Sequence, residues 1–293
     1  MRLLTGADIR DLAQRLEVRP TKTLGQNFVT DPGTVRRIVR AARVEAGEEV
    51  IEVGPGLGSL TLGLLEAGAR VTAVEIDPVL ARHLPTTVAA HAPQRLADLT
   101  VLTRDALEPI TTPLPHPPTK MVSNLPYNVA VPVLLTFLEQ FPSLQQVLVM
   151  VQAEVADRLV APPGSRTYGV PSAKVAWYAR AERAGSIGRS VFWPVPNVDS
   201  ALVRLIRREP PDTGASRELT FAVIDTAFAQ RRKMLRSALA PWAGTTAKAE
   251  QVLRHAGVEP TLRGEKVDIA AFAQIAAAGH DLGLAGAPAT EPV

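Results

Sequence analysis

A glycine-rich loop is the first segment of this sequence whose spacing could do chemistry. Gly54, Gly56 and Gly58 follow a short apolar run, and a helical pattern follows them. Glycine lets the backbone turn sharply and approach a ligand closely, and the start of the next helix offers free N–H groups there. Glu75 stands 21 residues after Gly54, where a carboxylate would accept hydrogen bonds from two ribose hydroxyls. This spacing favours a nucleoside site over a tight turn that binds nothing.

The spacing within the same loop also indicates which class of nucleoside-containing ligand it could bind. A dinucleotide fingerprint would read G-x-G-x-x-G, whereas this loop reads G-x-G-x-G and continues with Ser59. Asp105, just beyond a third predicted strand, stands where a further contact to an adenosine would be made, although alone it could equally cap a helix. A nicotinamide oxidoreductase is therefore disfavoured, and no obvious proton-transfer residue supports one.

The tetrapeptide Asn124-Leu125-Pro126-Tyr127 follows another apolar run. An adenine N6 amine is a poor nucleophile because its lone pair is delocalised into the ring. Two acceptors, the Asn124 side-chain oxygen and the backbone carbonyl after it, would bind the N–H protons and localise that lone pair on nitrogen. Pro126 would stiffen the carbonyl, and the ring of Tyr127 would stack on the base. Asn and Pro are also common turn residues, so the tetrapeptide alone would favour a turn.

Aromatic residues make up only 4% of the chain, so Phe192 at the start of the segment 192–196 is conspicuous. It precedes the last predicted strand, where its ring could cover the other face of a flipped base. Ordinary packing of an edge loop is the alternative interpretation.

Alternating strand and helix patterns position these residues. The predicted strands of the first half are Glu49–Val53, Arg70–Glu75, Leu99–Thr103, Thr119–Ser123 and Gln146–Val151, and helices are predicted near 7–16, 33–43 and 131–141. Residues 174–180 and 200–207 add two more strands as a hairpin at the sheet edge. Strands spaced by helices predict a parallel, doubly wound α/β sheet, and ligands gather at the carboxyl ends of its strands.

A stretch of linker composition, residues 209–216, separates this α/β part from a region with helical patterns alone, over 219–240, 246–256 and 268–278. The predicted organisation is an α/β domain over residues 1–208, with residues 1–32 as an N-terminal arm, and a helical domain over 217–282. The tail from 283 to 293, rich in Gly, Ala and Pro, is predicted to be disordered.

The composition excludes several kinds of chemistry. The chain has 293 residues and no cysteine, which excludes disulfides, thiolate zinc sites, iron–sulfur clusters and a cysteine nucleophile. The five histidines show no spacing typical of metal ligands, so we predict no metal. The longest uncharged apolar run, 121–138, is too polar and too broken to cross a bilayer, and the N-terminus has no apolar signal region. We expect a soluble, cytoplasmic protein.

The charge is distributed unevenly, although the net charge is only +3. Residues 44–150 hold 11 Asp/Glu and 5 Lys/Arg, and the flanks 1–43 and 151–210 are both basic. Basic flanks suit a polyanion and an acidic centre suits a cationic cofactor. Ordinary surface charge would explain the pattern equally well.

Several motifs in the right order make the sequence similar to the ribosomal RNA adenine N6,N6-dimethyltransferases, of the small-subunit (KsgA/RsmA) type. The matching segments are 23–31 (TLGQNFVTD), 52–58 (EVGPGLG), 75–77 (EID), 105–106 (DA), 124–127 (NLPY), 192–200 (FWPVPNVDS) and 228–236 (FAQRRKMLR). The resemblance covers residues 21 to about 270. It implies a Rossmann-like class I methyltransferase fold, with a mostly parallel seven-stranded sheet, an antiparallel edge hairpin and a small C-terminal all-α domain. It also implies S-adenosylmethionine (SAM) as the cofactor.

The resemblance implies roles for individual residues. Cofactor contacts are implied for Asn27, the backbone of Val29, Gly54, Gly56, Glu75, Ile76, Asp105 and Asn124. Residues implied in catalysis and in holding the target adenine are Asn124, Leu125, Pro126, Tyr127 and Phe192. RNA backbone contacts are implied for Arg231, Arg232, Lys233 and Arg236, on a helix predicted around 228–239, although such a run is usually a solvated charged face. The family usually has Leu in place of Val29, which is harmless if that contact uses the main chain.

The implied activity is SAM-dependent dimethylation of the N6 amines of two adjacent adenosines in the 3′-terminal loop of 16S rRNA, within the assembling small ribosomal subunit. Unpaired loop bases are easy to extrude. One alternative is the macrolide-resistance type of enzyme that methylates 23S rRNA; the later motifs and the helical C-terminal domain favour the small-subunit type. Another is a ribosome-assembly factor without catalysis, which the intact glycine loop and tetrapeptide disfavour. The sequence lacks an obvious interaction stripe, so we expect a monomer.

Overall fold

A seven-stranded sheet lies at the centre of the fold. The computed structural model describes residues 1–18, 27–126 and 129–284. Its strands are β1 (Phe28–Val29), β2 (Glu49–Val53), β3 (Arg70–Glu75), β4 (Leu99–Thr103), β5 (Lys120–Asn124), β6 (Gln146–Gln152), β7 (Ala179–Ile187), β8 (Phe192–Trp193) and β9 (Ser200–Arg207). The sheet order is β4-β3-β2-β5-β6-β9-β7, and β1 and β8 form a separate two-stranded ribbon. Strands β4, β3, β2, β5 and β6 run parallel, and β9 is antiparallel to β6.

Helices connect the strands and cover the sheet. They are α1 (Gly6–Arg15), α2 (Pro32–Ala42), α3 (Ser59–Glu66), α4 (Pro78–His91), α5 (Ala130–Gln140), α6 (Ala153–Leu159), α7 (Val170–Tyr178), α8 (Arg217–Ala229), α9 (Leu235–Ala238), α10 (Ala240–Ala243), α11 (Thr246–His255) and α12 (Ile269–Asp281). Short 3₁₀ helices span Pro93–Asp98, Arg189–Val191 and Gly264–Lys266. The mostly parallel seven-stranded sheet with an antiparallel edge is therefore confirmed, with the five strands of the first half within one residue of their predicted ends.

The local sequence explains why the central elements form. Strands β2, β5 and β6 are almost wholly buried, as strands covered by helices on both faces must be. Helix α4 begins where Asp77 accepts a hydrogen bond from the backbone N–H of Val79 at 2.8 Å and Pro78 supplies a fixed φ. Only two residues separate the end of β3 from the start of α4, so the loop that follows Glu75 is short.

The N-terminal residues belong to the core, whereas the sequence predicted an arm over 1–32. Thr5 and Asp8 form a reciprocal cap at the start of α1, and the apolar face of that helix is buried. Leu4 and Ile9 are both 0% exposed in the same hydrophobic cluster as the sheet. The amphipathic period of α1 thus attaches this segment to the fold. Residues 19–26 lie outside the described part of the chain.

The described residues divide into two compact units, and the division differs from the predicted boundary at 208. One unit contains Met1–Ala156 and Ala181–Arg207, and the other contains Asp157–Arg180 and the described residues from Arg208 onward. Residues 174–180 were predicted as a strand, and that prediction is wrong: α7 occupies Val170–Tyr178. Trp177 and Tyr178 of this helix pack edge-on against Phe221 of α8, with ring centroids 6.2 Å apart in both pairs.

The predicted helix over 219–240 is also wrong, because α8 ends at Ala229 and α9 begins only at Leu235. Tertiary hydrogen bonds replace the helical ones in between. The backbone N–H of Leu235 donates to the carbonyl of Leu262 at 2.7 Å, and Met234 pairs with Arg263 as an isolated bridge. Three of the four basic residues singled out in the sequence therefore lie on a turn between helices.

Two further findings concern the chain as a whole. Within residues 1–18, 27–126 and 129–284, none of the helices has both the length and the apolar character needed to traverse a lipid bilayer. Of the predicted disordered tail, Gly283 and Leu284 are described, and Leu284 closes α12 by donating its N–H to the carbonyl of Gly279 at 2.8 Å. Residues 285–293 lie outside the described part.

Candidate active site

The candidate site is a cleft at the carboxyl edge of the parallel strands. The chain order reverses at β2, which has β3 on one side and β5 on the other, and open α/β sheets form their ligand crevice at such a point. The cleft is lined by Asn27, Phe28, Val29, Glu52, Val53, Gly54, Pro55, Gly56, Leu57, Ser59, Leu60, Val74, Glu75, Ile76, Leu80, Arg104, Asp105, Ala106, Leu107, Asn124, Leu125, Pro126, Val129 and Val133. All eight residues with an implied cofactor contact are among them.

The glycine loop forms the floor of the cleft and requires glycine at two positions. Gly54 and Gly56 have φ angles of +68° and +57°, which side chains rarely adopt. A Cβ on Gly56 would lie 2.7 Å from the ring of Phe28, and one on Gly54 would lie 3.9 Å from the backbone oxygen of Asn124. The loop is therefore packed between the β1 segment and the tetrapeptide, and the close approach of Phe28 depends on the missing side chain of Gly56.

Glu75 ends β3 with its carboxylate buried beside this loop, only 5% exposed. One oxygen accepts the backbone N–H of Gly56 and the other accepts that of Asp77, both at 3.0 Å. Burial raises the pKa of the carboxyl, and these backbone N–H groups act against that rise. Each oxygen keeps a second lone pair, so the group could accept two ribose hydroxyls at once.

Glu52 is a second buried acid that lines the cleft. The sequence left it without a role, although it precedes Gly54 by two residues. It is 1% exposed and accepts the hydroxyl of Thr61 at 2.7 Å. Burial raises the pKa of Glu52 from 4.5 to about 8, the Thr61 hydroxyl opposes this, and the Glu75 carboxylate adds to it. The residue therefore binds a proton in the native state at pH values where the unfolded chain has released it.

This proton uptake predicts a pH-dependent stability. Between pH 4.5 and about 8 the free energy of unfolding should fall as pH rises, because the native state holds the extra proton. Glu52→Gln, which mimics the protonated acid, should remove a fall on the order of a few kcal/mol. Denaturant unfolding at pH 5 and pH 8 measures it, with exposed Glu45→Gln as the control. Parallel pH dependence in wild type and Glu52→Gln would refute the buried proton.

One part of the cleft combines a carboxylate with exposed apolar side chains. Asp105 lines the cleft and accepts the backbone N–H of Leu107 at 2.9 Å, so it also holds its own loop in a turn. Ile76 and Leu107 are 50% and 41% exposed, which is unusual for side chains of this size. Two apolar surfaces next to an acceptor would suit a purine ring with an amine.

The tetrapeptide lies at the end of β5, where its backbone is fixed. Asn124 pairs with Met150 in the sheet, and the N–H of Leu125 donates to the carbonyl of Met150 at 3.1 Å. The side-chain amide of Asn124 is half-buried and donates through Nδ2 to the carbonyl of Asn27 at 2.9 Å. Leu125 and Pro126 line the cleft beside it. Tyr127 falls outside the described residues.

Phe192 has a different position from the one its implied role needs. Its backbone pairs with Val29 in the β1–β8 ribbon, and its side chain is 3% exposed within the hydrophobic core cluster. It is not one of the residues that line the cleft. Phe28, its neighbour across the ribbon, does line it and stacks on Trp193 with ring centroids 6.3 Å apart. The sequence left Phe28 without a role, and only its position inside the matching motif at 23–31 marked it.

The basic residues of the second unit differ from one another. The Arg231 side chain is held by two hydrogen bonds. It donates to the carbonyl of Arg166 at 2.7 Å and to the carboxylate of Glu265 at 3.1 Å. Arg232 and Lys233 are exposed on the same turn. Arg236, on α9, forms a longer ion pair of 3.6 Å with the carboxylate of Glu250. Within residues 1–18, 27–126 and 129–284, no group of three or more His, Asp or Glu is arranged to hold a metal ion.

This chain is similar to known proteins over nearly its whole length. The family described as ribosomal RNA adenine dimethylase matches residues 19–279. A protein of Kineococcus radiotolerans named ribosomal RNA small subunit methyltransferase A is 64% identical over 99% of this chain and 96% of its own length. One of the same name from Thermobifida fusca is 66% identical over 94% of this chain and 96% of its own.

Solved structures agree in fold. A dimethyladenosine transferase from Plasmodium falciparum has a TM-score of 0.71 at 22% identity, covering 87% of this chain and 98% of that one. The 23S rRNA methyltransferase ErmE has a TM-score of 0.63 at 27% identity, covering 86% and 98%. The first likeness concerns the fold alone, whereas the family match and the relatives extend over nearly the whole chain. This chain is a member of the ribosomal RNA adenine dimethylase family.

Proposed function

We propose that this enzyme transfers methyl groups from SAM to the N6 amines of two adjacent adenosines in the 3′-terminal loop of 16S rRNA. The observation that carries the proposal is the single cleft in which the glycine loop, Glu75 and Asp105 meet Asn124. The highly identical relatives named for the small ribosomal subunit support the substrate. ErmE, the relative of known structure named for 23S rRNA, is far less similar, so the large-subunit alternative is not favoured.

The donor set of the cleft fits SAM. The close backbone approach at Gly56 suits the nucleoside, the carboxylate of Glu75 suits its ribose, and Ile76 with Asp105 suits its adenine. Asn27, Val29, Gly54 and Asn124, which line the same cleft, complete the proposed contacts. When bound, SAM supplies an electrophilic methyl group on a positively charged sulfur.

The chain's own residues then act on the target base. Asn124 Oδ1 and the carbonyl of Leu125 accept hydrogen bonds from the two N6 N–H groups, which localises the lone pair on nitrogen. The amine is acidic once it is methylated, so it releases its extra proton to solvent without a dedicated strong base. Pro126 limits the freedom of that carbonyl, and positioning for in-line transfer supplies most of the rate. Tyr127 and Phe192 are the proposed contacts to the base faces; for Phe192 this would require its ring to rotate out of the core cluster while its backbone stays paired with Val29.

The product identifies the reaction. Small-subunit RNA that lacks the modification, incubated with the enzyme and SAM and then digested to nucleosides, should release N6,N6-dimethyladenosine. Release of N6-monomethyladenosine alone, or of a methylated base other than adenine, would reject the dimethylation. We further propose that the enzyme acts in the cytoplasm, as a monomer, on rRNA within an immature small subunit.

The exposed basic turn predicts the salt dependence of RNA binding. Arg232 and Lys233 are exposed and form no ion pair among the described residues, so Arg232→Ala with Lys233→Ala should weaken binding and lower the slope of log K against log salt by about 1.5. Filter binding between 50 and 200 mM salt, on the order of the range in which such contacts are screened, measures the slope. Arg231→Ala should instead lower stability, because its partners Glu265 and Arg166 lose their contact.

A matched double variant separates a local effect from loss of net charge. Arg82→Ala with Lys248→Ala removes two exposed cations elsewhere and should leave the slope unchanged. An equal slope in both double variants would make the turn at 231–233 an ordinary solvated surface.

A further inference from the structure

We propose that the main-chain carbonyl of Asn27 is the positioning group that fixes the orientation of the Asn124 amide, so that its oxygen faces the target amine. The proposal rests on the proposed function and adds to it a group that does not touch the target base. We call residues Asn27, Phe28 and Val29 the strap, since they cross the cleft wall from the glycine loop to the tetrapeptide.

The chemistry of the contact determines the amide orientation. Asn124 Nδ2 lies 2.9 Å from the Asn27 carbonyl oxygen. A carbonyl oxygen can only accept, so the –NH₂ end of the amide must face it. The opposite orientation would bring two oxygens together in a half-buried site. Because the amide is planar, holding its nitrogen at the strap turns Oδ1 away from the strap, where it can accept an N6 proton.

The strap is held on three sides, which makes the carbonyl a fixed point. The Ser59 hydroxyl, at the start of α3, donates to the Val29 carbonyl at 2.7 Å. The ring of Phe28 fills the space left by the missing side chain of Gly56 and stacks on Trp193. Val29 also pairs with Phe192 in the ribbon. These contacts belong to different elements, so the strap cannot move without breaking at least one of them.

Asn124→Asp provides the test, because only its neutral form has a donor that can face the Asn27 carbonyl, whereas the carboxylate is acceptor-only and negatively charged. The neutral acid can donate its O–H to the Asn27 carbonyl and accept the N6 proton with its other oxygen, as the amide does. The carboxylate has no proton for the strap and is repelled by the carbonyl. We therefore expect the single-turnover rate of this variant to rise at least about tenfold from pH 8 to pH 5.5, as the neutral acid becomes populated.

Other ionisable groups near the cleft are the same in every protein compared. Glu52, Glu75, Asp105 and Arg104 line it, and all four are present in wild type, Asn124→Ala and Asn124→Asp alike. The measured quantity is therefore the ratio of the Asn124→Asp rate to the wild-type rate at each pH, with saturating SAM. A ratio that rises on acidification supports the proposal. A ratio that is flat, falls, or stays at the Asn124→Ala level at every pH overturns it.

A second variant leaves Asn124 intact. Phe28→Leu removes the ring that supports the strap, and kcat at saturating SAM should fall by about tenfold or more, because small misplacements of a reacting group are costly. Phe137→Leu, in the wholly buried core, is the matched control for loss of a ring and should keep its kcat. An increase in KM for SAM with unchanged kcat would make Phe28 a cofactor contact only and would contradict the strap. In either arm, an inactive wild type would refute the proposed function rather than this inference.

Discussion

Asn124→Ala should reduce methyl transfer by about a thousandfold, since an acceptor or donor aimed at the charge that develops in a transition state accounts for a factor of this size. The loss has two parts. The variant lacks the oxygen that accepts an N6 proton, and it also lacks the amide that the Asn27 carbonyl holds in place. The backbone of residue 124 remains paired with Met150, so β5 and its register should persist.

Single-turnover transfer at saturating SAM measures this effect, and thermal unfolding checks the fold. Gln146→Ala is a matched control: Gln146 donates a side-chain amide to the carbonyl of Ala42 at 2.8 Å, near the opposite edge of the sheet. It should transfer methyl groups at the wild-type rate. Activity retained by Asn124→Ala would remove the tetrapeptide from the mechanism, whatever the substrate is.

Glu75→Ala should weaken SAM binding by about a hundredfold. Two hydrogen bonds from ribose hydroxyls to a carboxylate would be lost, at roughly 1.5–3 kcal/mol each, and each 1.4 kcal/mol is about a tenfold change in affinity. The backbone N–H groups of Gly56 and Asp77 would also lose their acceptor, which loosens the glycine loop. The rate at saturating SAM should change much less, because Glu75 faces the nucleoside and not the reacting amine.

Calorimetric titration with SAM tests this, and a deoxy ligand makes it specific. S-adenosylhomocysteine without its 2′-hydroxyl should bind wild type more weakly than the intact compound, and Glu75→Ala should bind both equally. Glu66→Ala is the control, because its carboxylate pairs with Arg36 and does not line the cleft. Unchanged SAM affinity in Glu75→Ala would remove it as the ribose partner.

The predictions that succeeded share a physical basis. Short apolar runs separated by helical patterns can be buried only as a covered parallel sheet, so the order of elements places Gly54, Glu75, Asp105 and Asn124 at one edge. Their meeting in one cleft follows from position at strand ends, not from any long-range detail. This is why these four residues could be expected at one edge of the sheet from the sequence alone.

The wrong strand and helix predictions also share a physical cause, since both depend on contacts between distant parts of the chain. Residues 174–180 were predicted as a strand, but residues up to Tyr178 belong to helix α7, where Trp177 packs on Phe221, more than forty residues away in the chain. The break at 230–234 depends on bonds to Leu262 and Arg263, about thirty residues later in the chain. The contact of Asn124 with the Asn27 carbonyl spans 97 residues and involves the main chain, which leaves no trace in side-chain type. Such tertiary contacts cannot be predicted from the local periodicity of the sequence.

Methyl transfer from labelled SAM to a panel of acceptors tests the proposed function most directly. The panel comprises small subunits lacking the modification, fully modified small subunits, and large subunits, with Asn124→Ala as the inactive control. We predict label in N6,N6-dimethyladenosine on the unmodified small subunit alone, and none with Asn124→Ala. Label on large-subunit RNA, or no label on any acceptor while SAM still binds, would contradict the proposed function.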